Sequence, residues 1–311
     1  MGGCFPRGAV RIGTRKSPLA IAQAQEVRRR LLDVRPDAVI EIADLQTTGD
    51  RLQDRSLAEI GGKGLFTKEL DEALADGRID MAVHSMKDME TQLPAGQAIA
   101  AVLPREDPRD VLVCPSAASL AGLAPGAVFG TASLRRAAQV LHLRPDLKVV
   151  SFRGNVATRL RKLHAGQVNA TMLALAGLRR LGLDDPAFHV LETDAMLPAV
   201  AQGAIAVVIR AGAQDKEMGS WLAAVDDSLS RACVTAEREM LRVLDGSCRT
   251  PIAGLAVPAP GGGMTLRGLV ATPDGVTLHR AARAGSLADA GRLGADAGRE
   301  LRMLAGHDRR G

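Results

Sequence analysis

An aspartate stands at the end of an apolar segment, where an acid could be held for catalysis. The segment runs from Ile79 to His84 and leads into Ser85-Met86-Lys87-Asp88. A buried strand delivers the residues that follow it to the edge of an α/β sheet where ligands bind. Asp88 is therefore the candidate catalytic acid. Because a Lys-Asp pair is also typical of an exposed turn, the assignment depends on what else the chain supplies.

Arginines recur at predicted helix starts, where the helix dipole normally favours aspartate or glutamate. Each lies at a junction between a predicted strand and a predicted helix: Arg15 before Ser17, Arg135 and Arg136 after Ser133, and Arg153 and Arg159 on either side of Asn155. Helix N–H groups and guanidinium groups together bind anions well. A single arginine of this kind is usually solvated, but three such junctions predict an anion site.

Other motifs carry weaker signals. Gly61-Gly62-Lys63-Gly64 could hold a phosphate, but it matches neither of the common glycine-rich nucleotide fingerprints. His84 lies inside a predicted strand, and we expect a hydrogen-bonded core residue there rather than a metal ligand. No Ser/His/Asp set can be assembled from spacing alone, and no metal is expected.

The four cysteines are Cys4, Cys114, Cys233 and Cys248, and they form no C-x-x-C pair. This spacing indicates neither a zinc site nor a disulfide framework. A cysteine is by default a small buried hydrophobe, which is our expectation for Cys114 and Cys233. Cys248 lies in a predicted loop, where an accessible thiol can be a nucleophile. From the residues alone both interpretations of Cys248 stay open.

Composition narrows the class of ligand. The 311 residues are 46% hydrophobic and 2% aromatic with no Tyr. A protein that binds single-stranded nucleic acid usually needs aromatic stacking platforms, so that class is disfavoured. The net charge is +5, and residues 104–200 carry 12 Lys and Arg against 8 Asp and Glu. Positive charge in one segment favours a compact anionic ligand.

No targeting segment is evident in the sequence. The N-terminus lacks the apolar core of a secretory signal, and Pro6 breaks the myristoylation pattern. No run of residues reaches membrane-spanning length. We therefore expect a cytoplasmic protein that does not bind a membrane. We also expect it to bind no nucleic acid and to act as a monomer.

The predicted elements that must position these residues form two α/β series and a smaller third region. In the first series, strands at 10–14, 39–45 and 79–84 alternate with helices that begin at Pro18 and near Leu65. This order predicts a largely parallel sheet. A second series begins at Val111, and an apolar strand at 204–209 could return to the first sheet. The third region has a helix at 227–244, two strands at 264–271 and 276–282, and a final helix.

Several long motifs resemble the porphobilinogen deaminase (hydroxymethylbilane synthase) family. They occur in order from Arg11 to the C-terminal region, and their number and spacing make the resemblance specific. The motifs are Arg11-Ile12-Gly13-Thr14-Arg15-Lys16-Ser17-Pro18-Leu19-Ala20, Gly61-Gly62-Lys63-Gly64-Leu65-Phe66, His84-Ser85-Met86-Lys87-Asp88, Arg105-Glu106-Asp107-Pro108-Arg109-Asp110, Gly130-Thr131-Ala132-Ser133-Leu134-Arg135-Arg136 and Arg153-Gly154-Asn155-Val156 with Thr158-Arg159-Leu160.

The resemblance implies two periplasmic-binding-protein-like α/β domains and a small α+β C-terminal domain. The expected boundaries are 1–103 with 201–222, 104–200, and 223–311. It also implies a dipyrromethane cofactor joined by a thioether to Cys248, and an enzyme that condenses four porphobilinogens head to tail with release of ammonia. Asp88 would be the catalytic carboxylate.

The resemblance also implies which other residues bind the cofactor and the substrate. The expected cofactor-binding residues are Cys248, Lys87, Ser85, Ser133, Arg135, Arg136, Arg153 and Arg159, and the expected substrate-binding residues are Arg11, Arg15, Ser17, Lys63, Phe66 and Asn155.

The chain departs from the family pattern at three places. Met89-Glu90 replaces Val-Pro, Ser247 replaces a glycine, and Ala201 replaces a glycine in Ala-Val-Gly-Gln-Gly. Ala201 is expected to stiffen a crossing between domains. The alternative function is a non-catalytic, two-lobed anion-binding protein, and a covalent pyrrole adduct would distinguish the two. A nucleic-acid binder is the third possibility.

Overall fold

The computed structural model describes residues 8–47, 67–212, 216–244 and 250–307. Thirteen strands and eight α-helices lie within these ranges. In chain order they are β1 (Val10–Arg15), α1 (Pro18–Val34), β2 (Ile40–Leu45), α2 (Lys68–Ala75), β3 (Met81–Ser85), β4 (Gln97–Val102), β5 (Asp110–Val113), β6 (Val128–Gly130), α3 (Leu134–Leu143), β7 (Lys148–Val150), α4 (Val156–His164), β8 (Ala170–Ala174), α5 (Leu175–Arg180), β9 (Phe188–Val190), β10 (Ile205–Arg210), α6 (Lys216–Val225), α7 (Ser228–Val243), β11 (Ile252–Ala259), β12 (Gly263–Ala271), β13 (Leu278–Ser286) and α8 (Ala290–His307).

Chain packing divides the protein into two units. One unit comprises Met1–Arg105 with Ala204–Ser230, and the other comprises Glu106–Gly203 with Arg231–Gly311. The second unit holds both the middle α/β sheet and the C-terminal sheet. The finer division into three domains stays a prediction.

The first unit is built on a five-stranded sheet of order β2-β1-β3-β10-β4. β1 pairs in parallel with both β2 and β3. α1 buries Val27 and Leu31 in a core shared with Ile12, Met81 and strand β10. This core holds the carboxyl ends of β1 and β3 beside each other.

Strand β10 returns to the first sheet, which confirms that expectation. It runs antiparallel to both β3 and β4 and lies between them. Strands β2, β1, β3 and β4 therefore share one direction and β10 alone runs against them, which confirms the prediction of a largely parallel sheet. The β-α-β alternation covers β1 to β3 only, and it carries no information about strands that arrive from elsewhere in the chain.

The second unit contains a five-stranded sheet of order β7-β6-β8-β5-β9. β6 is parallel to β7 and β8, whereas β5 is antiparallel to β8 and β9. Phe129 of β6 is fully buried between strands and helix α3, and Leu112 and Met172 lie in the same cluster. The parallel strands β6 and β7 end at one edge, where α3 and α4 begin.

The C-terminal part of this unit is a three-stranded antiparallel meander, β11-β12-β13, with helices α7 and α8. Gly268 and Gly294 lie so close to Met240 and to the Ala236 carbonyl that a Cβ could not be accommodated without movement. The two α/β sheets and this α+β region confirm the predicted fold class. Within the described ranges, no helix is both long enough and apolar enough to cross a bilayer.

His84 is a core residue, as expected from its position in β3. Met81 and Val83 face the α1 side of the sheet, while His84 points to the α2 side beside Thr67 and Asp71. The side chain is 6% exposed. Burial, and secondarily the charge of Arg15, lowers the pKa of His84 to about 4, so the imidazole is neutral at pH 7.

Ala201 adopts an unusual backbone conformation. Its φ is 58°, which makes it the one non-glycine residue with positive φ among those described. Its N–H donates to Glu237 Oε2 at 2.6 Å, and Glu237 Oε1 accepts from the N–H of Ala256 at 2.7 Å. Ala201 and Glu237 are both fully buried. A left-handed conformation costs an L-residue roughly 1–2 kcal/mol, so the glycine typical of the family fits here more easily.

Acid should destabilise the protein through His84. Since the folded pKa is about 4 and the unfolded pKa is about 6.5, the unfolded state binds the proton first as pH falls. The contribution is complete above pH 6.5 and is lost as pH falls to 4, by up to about 3 kcal/mol. Denaturant unfolding across this range should show a smaller loss for His84→Gln. The exposed His164 provides the control variant His164→Gln, which should follow wild type.

Relief of strain should set Ala201 apart from other buried alanines. Ala201→Gly loses a methyl group and adds chain entropy, but it removes roughly 1–2 kcal/mol of strain. We expect its unfolding free energy to equal or exceed that of wild type. Ala236→Gly, at a fully buried position in α7, lacks this compensation and should lose at least about 1 kcal/mol. Equal losses in the two variants, measured by denaturant unfolding, would contradict the strain argument.

Candidate active site

Asp88 lies at the carboxyl edge of the first sheet. β3 ends at Ser85, and a single 3-10 turn, Met86–Asp88, follows it. The N–H of Met86 donates to the Ala204 carbonyl at 3.0 Å, so the start of this turn is fixed to the sheet while Asp88 is exposed. A rigid base with an exposed carboxylate suits an acid that must meet a ligand.

The end of β1 contributes the residues opposite Asp88. A pocket of about 60 Å³ is lined by Arg15, Ser17, Gln23, Ser85 and Asp88, among others. β1 and β3 are parallel neighbours, and Ile12 pairs with Met81, so both strands end at this edge. The structure thus brings together four predicted site residues of the first unit: Arg15, Ser17, Ser85 and Asp88.

Gln23 belongs to this pocket but was not anticipated from the sequence. It is 4% exposed, and its Nε2 lies 2.7 Å from Ser85 Oγ. Its side chain therefore fixes the hydroxyl that precedes Asp88. Gln23 lies on the apolar face of α1, four residues from both Leu19 and Val27. A glutamine at such a position in the sequence indicates a buried polar side chain with a hydrogen-bond partner.

Arg11 does not join the pocket. It lies at the start of β1, and its Nε and Nη2 donate to the two oxygens of Asp80 at 2.9 and 2.7 Å. Arg11 and Arg15 lie near opposite ends of β1. Arg11 is not among the residues that line this pocket, and its role in substrate binding stays a prediction.

A second cavity, of about 230 Å³, adjoins the other face of β3. Its lining includes His84, Asp71 and Glu90. Burial raises the pKa of Asp71, and the neighbouring Glu90 adds to the rise. Glu90, one of the departures from the family pattern, thus adds a third carboxylate to those of Asp71 and Glu72 in this cavity.

The second unit carries the other arginines at the edge where β6 and β7 end. Ser133 caps α3 by accepting from the N–H of Arg136, and Asn155 caps α4 by accepting from the N–H of Thr158 at 2.9 Å. Both side chains therefore serve the helix starts that the sequence predicted. Since β6 and β7 are parallel neighbours, the two helix starts share one edge.

Arg135 and Arg136 turn inward to a buried carboxylate. Arg135 Nη1 donates to Asp110 Oδ2 at 2.7 Å, and Arg136 Nη2 donates to Asp110 Oδ1 at 2.6 Å. Asp110 is fully buried, and both arginines are 6% exposed. Asp110 thus supplies the anion that makes these basic helix starts tolerable, a role that the sequence argument assigned to a ligand alone.

Electrostatics keep Asp110 ionised. Burial alone would raise the pKa of its carboxyl, but the charges of Arg135 and Arg136 outweigh burial and hold the pKa far below its ordinary value. The role of Asp110 was not predicted, because this residue follows Pro104 and Pro108 in a segment that resembles a linker. An aspartate directly before the apolar run Val111-Leu112-Val113 was the available signal.

Arg153 and Arg159 flank the start of α4. Arg153 lies before the cap Asn155, and its carbonyl accepts from Lys162 Nζ at 3.2 Å. The Lys162 ammonium also lies 5.9 Å from the centre of the Phe152 ring. The helix has no acidic residue in its first turn, so its start is strongly cationic.

Three of the predicted site residues lie outside the described residues: Lys63, Phe66 and Cys248. Lys87 is exposed beside Asp88. Cys114 and Cys233 are buried, as expected. Among the residues that the structure describes, no group of three or more His, Cys, Asp or Glu side chains is arranged to hold a metal.

Two solved structures match the chain at low sequence identity. A periplasmic VFT2 domain of BvgS from Bordetella pertussis matches 70% of this chain and 86% of its own length, with 17% identity and a TM-score of 0.41. The BenM effector-binding domain with benzoate matches 70% and 90%, with 15% identity and a TM-score of 0.43. At these scores the likeness carries no argument about function.

Sequence comparison is far more specific. Residues 10–218 match the family description "Porphobilinogen deaminase, dipyromethane cofactor binding domain", and residues 231–303 match "Porphobilinogen deaminase, C-terminal domain". A porphobilinogen deaminase of Nitrobacter hamburgensis is 54% identical over 95% of this chain and 93% of its own. A chloroplastic porphobilinogen deaminase of rice, Oryza sativa subsp. japonica, is 52% identical over 96% and 84%. The chain belongs to the porphobilinogen deaminase family.

Proposed function

We propose that this protein condenses four porphobilinogens head to tail, releases one ammonia at each condensation, and hydrolyses the product to hydroxymethylbilane. Family membership supports the reaction. The observation that carries the assignment to this site is the pocket that combines the Asp88 carboxylate with Arg15 at the carboxyl edge of a rigid sheet. An acid and a fixed cation are what a dicarboxylate substrate with a cationic leaving group requires.

Asp88 is assigned the acid–base and electrostatic role. Departure of ammonia from the substrate's aminomethyl carbon leaves positive charge on the pyrrole. An ionised carboxylate held nearby stabilises that charge and can accept a hydrogen bond from the pyrrole N–H. The same group can move the proton that the departing amine gains and the proton that the new carbon–carbon bond expels.

The arginines are assigned to the substrate carboxylates. Each pyrrole carries an acetate and a propionate, so the growing chain is a polyanion. Arg15 lines the Asp88 pocket, and Arg153 and Arg159 flank a helix start that lacks acidic residues. Guanidinium groups bind carboxylates through two parallel hydrogen bonds, which fixes orientation as well as position.

We further propose that the dipyrromethane of the family is joined to the Cys248 sulfur and held by Arg135, Arg136, Arg153 and Arg159. When bound, the group supplies the free pyrrole carbon to which the first substrate is added. One observation fits a ligand carboxylate here: Arg135 Nε is buried and has no acceptor among the described residues. Monomeric state and cytoplasmic location stay predictions.

The cofactor assignment predicts a covalent adduct. A thioether survives denaturation, so the intact mass of purified protein should exceed the sequence mass by two linked pyrrole units. Peptide mapping should assign the increment to the segment that contains Cys248. Cys248→Ala should have the bare mass and negligible activity, whereas Cys114→Ala and Cys233→Ala should keep the adduct. Active wild-type protein with an unmodified mass would contradict the assignment.

The catalytic assignment predicts a large loss in Asp88→Asn. The amide keeps the shape but cannot stabilise developing positive charge, so turnover should fall by at least about 100-fold. Because Asp88 is exposed, the unfolding midpoint should change little. Asp37→Asn, at an exposed surface aspartate paired with Arg35, is the control and should match wild type. Hydroxymethylbilane formation at the wild-type rate in Asp88→Asn would refute the role.

A further inference from the structure

Asp110 is the centre of a fully enclosed polar cluster. Its Oδ1 accepts from Arg136 Nε at 3.2 Å, from Arg136 Nη2 at 2.6 Å and from Gln202 Nε2 at 3.0 Å, and its Oδ2 accepts from Arg135 Nη1 at 2.7 Å. Asp110 and Gln202 are each 0% exposed. Three side chains therefore donate to this one buried carboxylate.

Backbone carbonyls also accept hydrogen bonds from both guanidinium groups. Arg136 Nη1 donates to the Met172 carbonyl at 2.8 Å, and Arg135 Nη1 donates to the Leu197 carbonyl at 2.8 Å. Gln139, one turn further along α3, bonds both polar groups of Leu197. Each arginine therefore bonds one backbone carbonyl as well as Asp110, and Asp110 is the partner that both share.

The cluster contains two positive charges and one negative charge. Removing charged groups from water is expensive unless each is paired, so a second anion would complete this set. Arg135 Nε has no acceptor among the described residues, which locates the incomplete hydrogen bonding on that side chain. The cluster is thus arranged to hold its guanidinium groups in place and still attract one more carboxylate.

We infer that Asp110 is a positioning residue for the cofactor and growing pyrrole chain. It touches neither, but it fixes the guanidinium planes of Arg135 and Arg136 that do, and it sets how much positive charge remains for the ligand. This inference rests on the proposed function of the two arginines. Gln202, which also donates to the Pro108 carbonyl at 2.7 Å, orients Asp110 in turn.

Two substitutions separate the position of the carboxylate from its charge. Asp110→Glu keeps the charge and moves it by one methylene, and Asp110→Asn keeps the shape and removes the charge. A misplacement of about 1 Å in a binding group can cost about 100-fold. We therefore expect the KM for porphobilinogen to rise at least about tenfold in the cofactor-loaded fraction, more for Asn than for Glu, with kcat per loaded site nearly unchanged.

Asp146→Asn is the matched control. Asp146 makes a two-bond pair with Arg144 in the same unit, with both distances 2.7 Å, but the pair is at the surface. Loaded fraction, from intact mass, and KM should match wild type. A purely structural role for Asp110 would lower the yield of folded protein without moving the KM of the folded, loaded fraction.

The outcomes are distinct. An unchanged KM in loaded Asp110→Glu and Asp110→Asn overturns the inference, and so does failure of both variants to fold, since Asp110 would then serve the fold alone. A wild-type protein that forms no hydroxymethylbilane overturns the proposed function instead. A raised KM in both variants, with the control unchanged, supports the inference.

Discussion

The second unit depends on the burial of one carboxylate. An aspartate with no exposed surface can remain ionised only if cations and N–H groups surround it, and here two successive residues of one helix do so. Leaving either guanidinium without its partner would cost about 3–5 kcal/mol. Asp110 therefore holds the start of α3 through Arg135 and Arg136. The same two arginines bond the Leu197 carbonyl and the Met172 carbonyl of β8, and Gln202 donates to Asp110 directly. Any ligand that binds there meets a site whose geometry is already set.

The two α/β sheets have similar helix starts at their carboxyl edges but differ in the exposure of the acid found there. In each, parallel strands bring helix starts to one edge, and small polar side chains cap those helices: Ser17, Ser133 and Asn155. Because each capping oxygen accepts a hydrogen bond from an N–H of its own helix, the neighbouring arginine is the side chain that can extend toward a ligand. The first sheet adds an exposed acid to this edge, whereas the second adds a buried one.

Local patterns predicted the parallel strands and most of the helices, because capping residues, prolines and hydrophobic periodicity are all local signals, but they did not predict α5 or α6. Ser17 and Pro18 mark the start of α1, and Ser133 marks the start of α3. Strands β4 and β9 were missed, since their partners are remote in sequence and their own patterns are weak. In the site, Arg15, Ser85 and Asp88 were found together. Asp110 and Gln23 were not found, because the reason for a buried polar residue lies in its tertiary partners and not in its neighbours along the chain.

The return of β10 has a consequence for the order of folding. This strand occupies the position between β3 and β4, yet it is synthesised only after residues 106–203. Until it emerges from the ribosome, β4 has no partner in its sheet and β3 presents an open edge. Open edges are sites of misassociation. The sheet of the N-terminal unit is thus the second of the two α/β sheets to be completed. The nascent chain must protect the exposed edges of β3 and β4 while the intervening sheet is being synthesised.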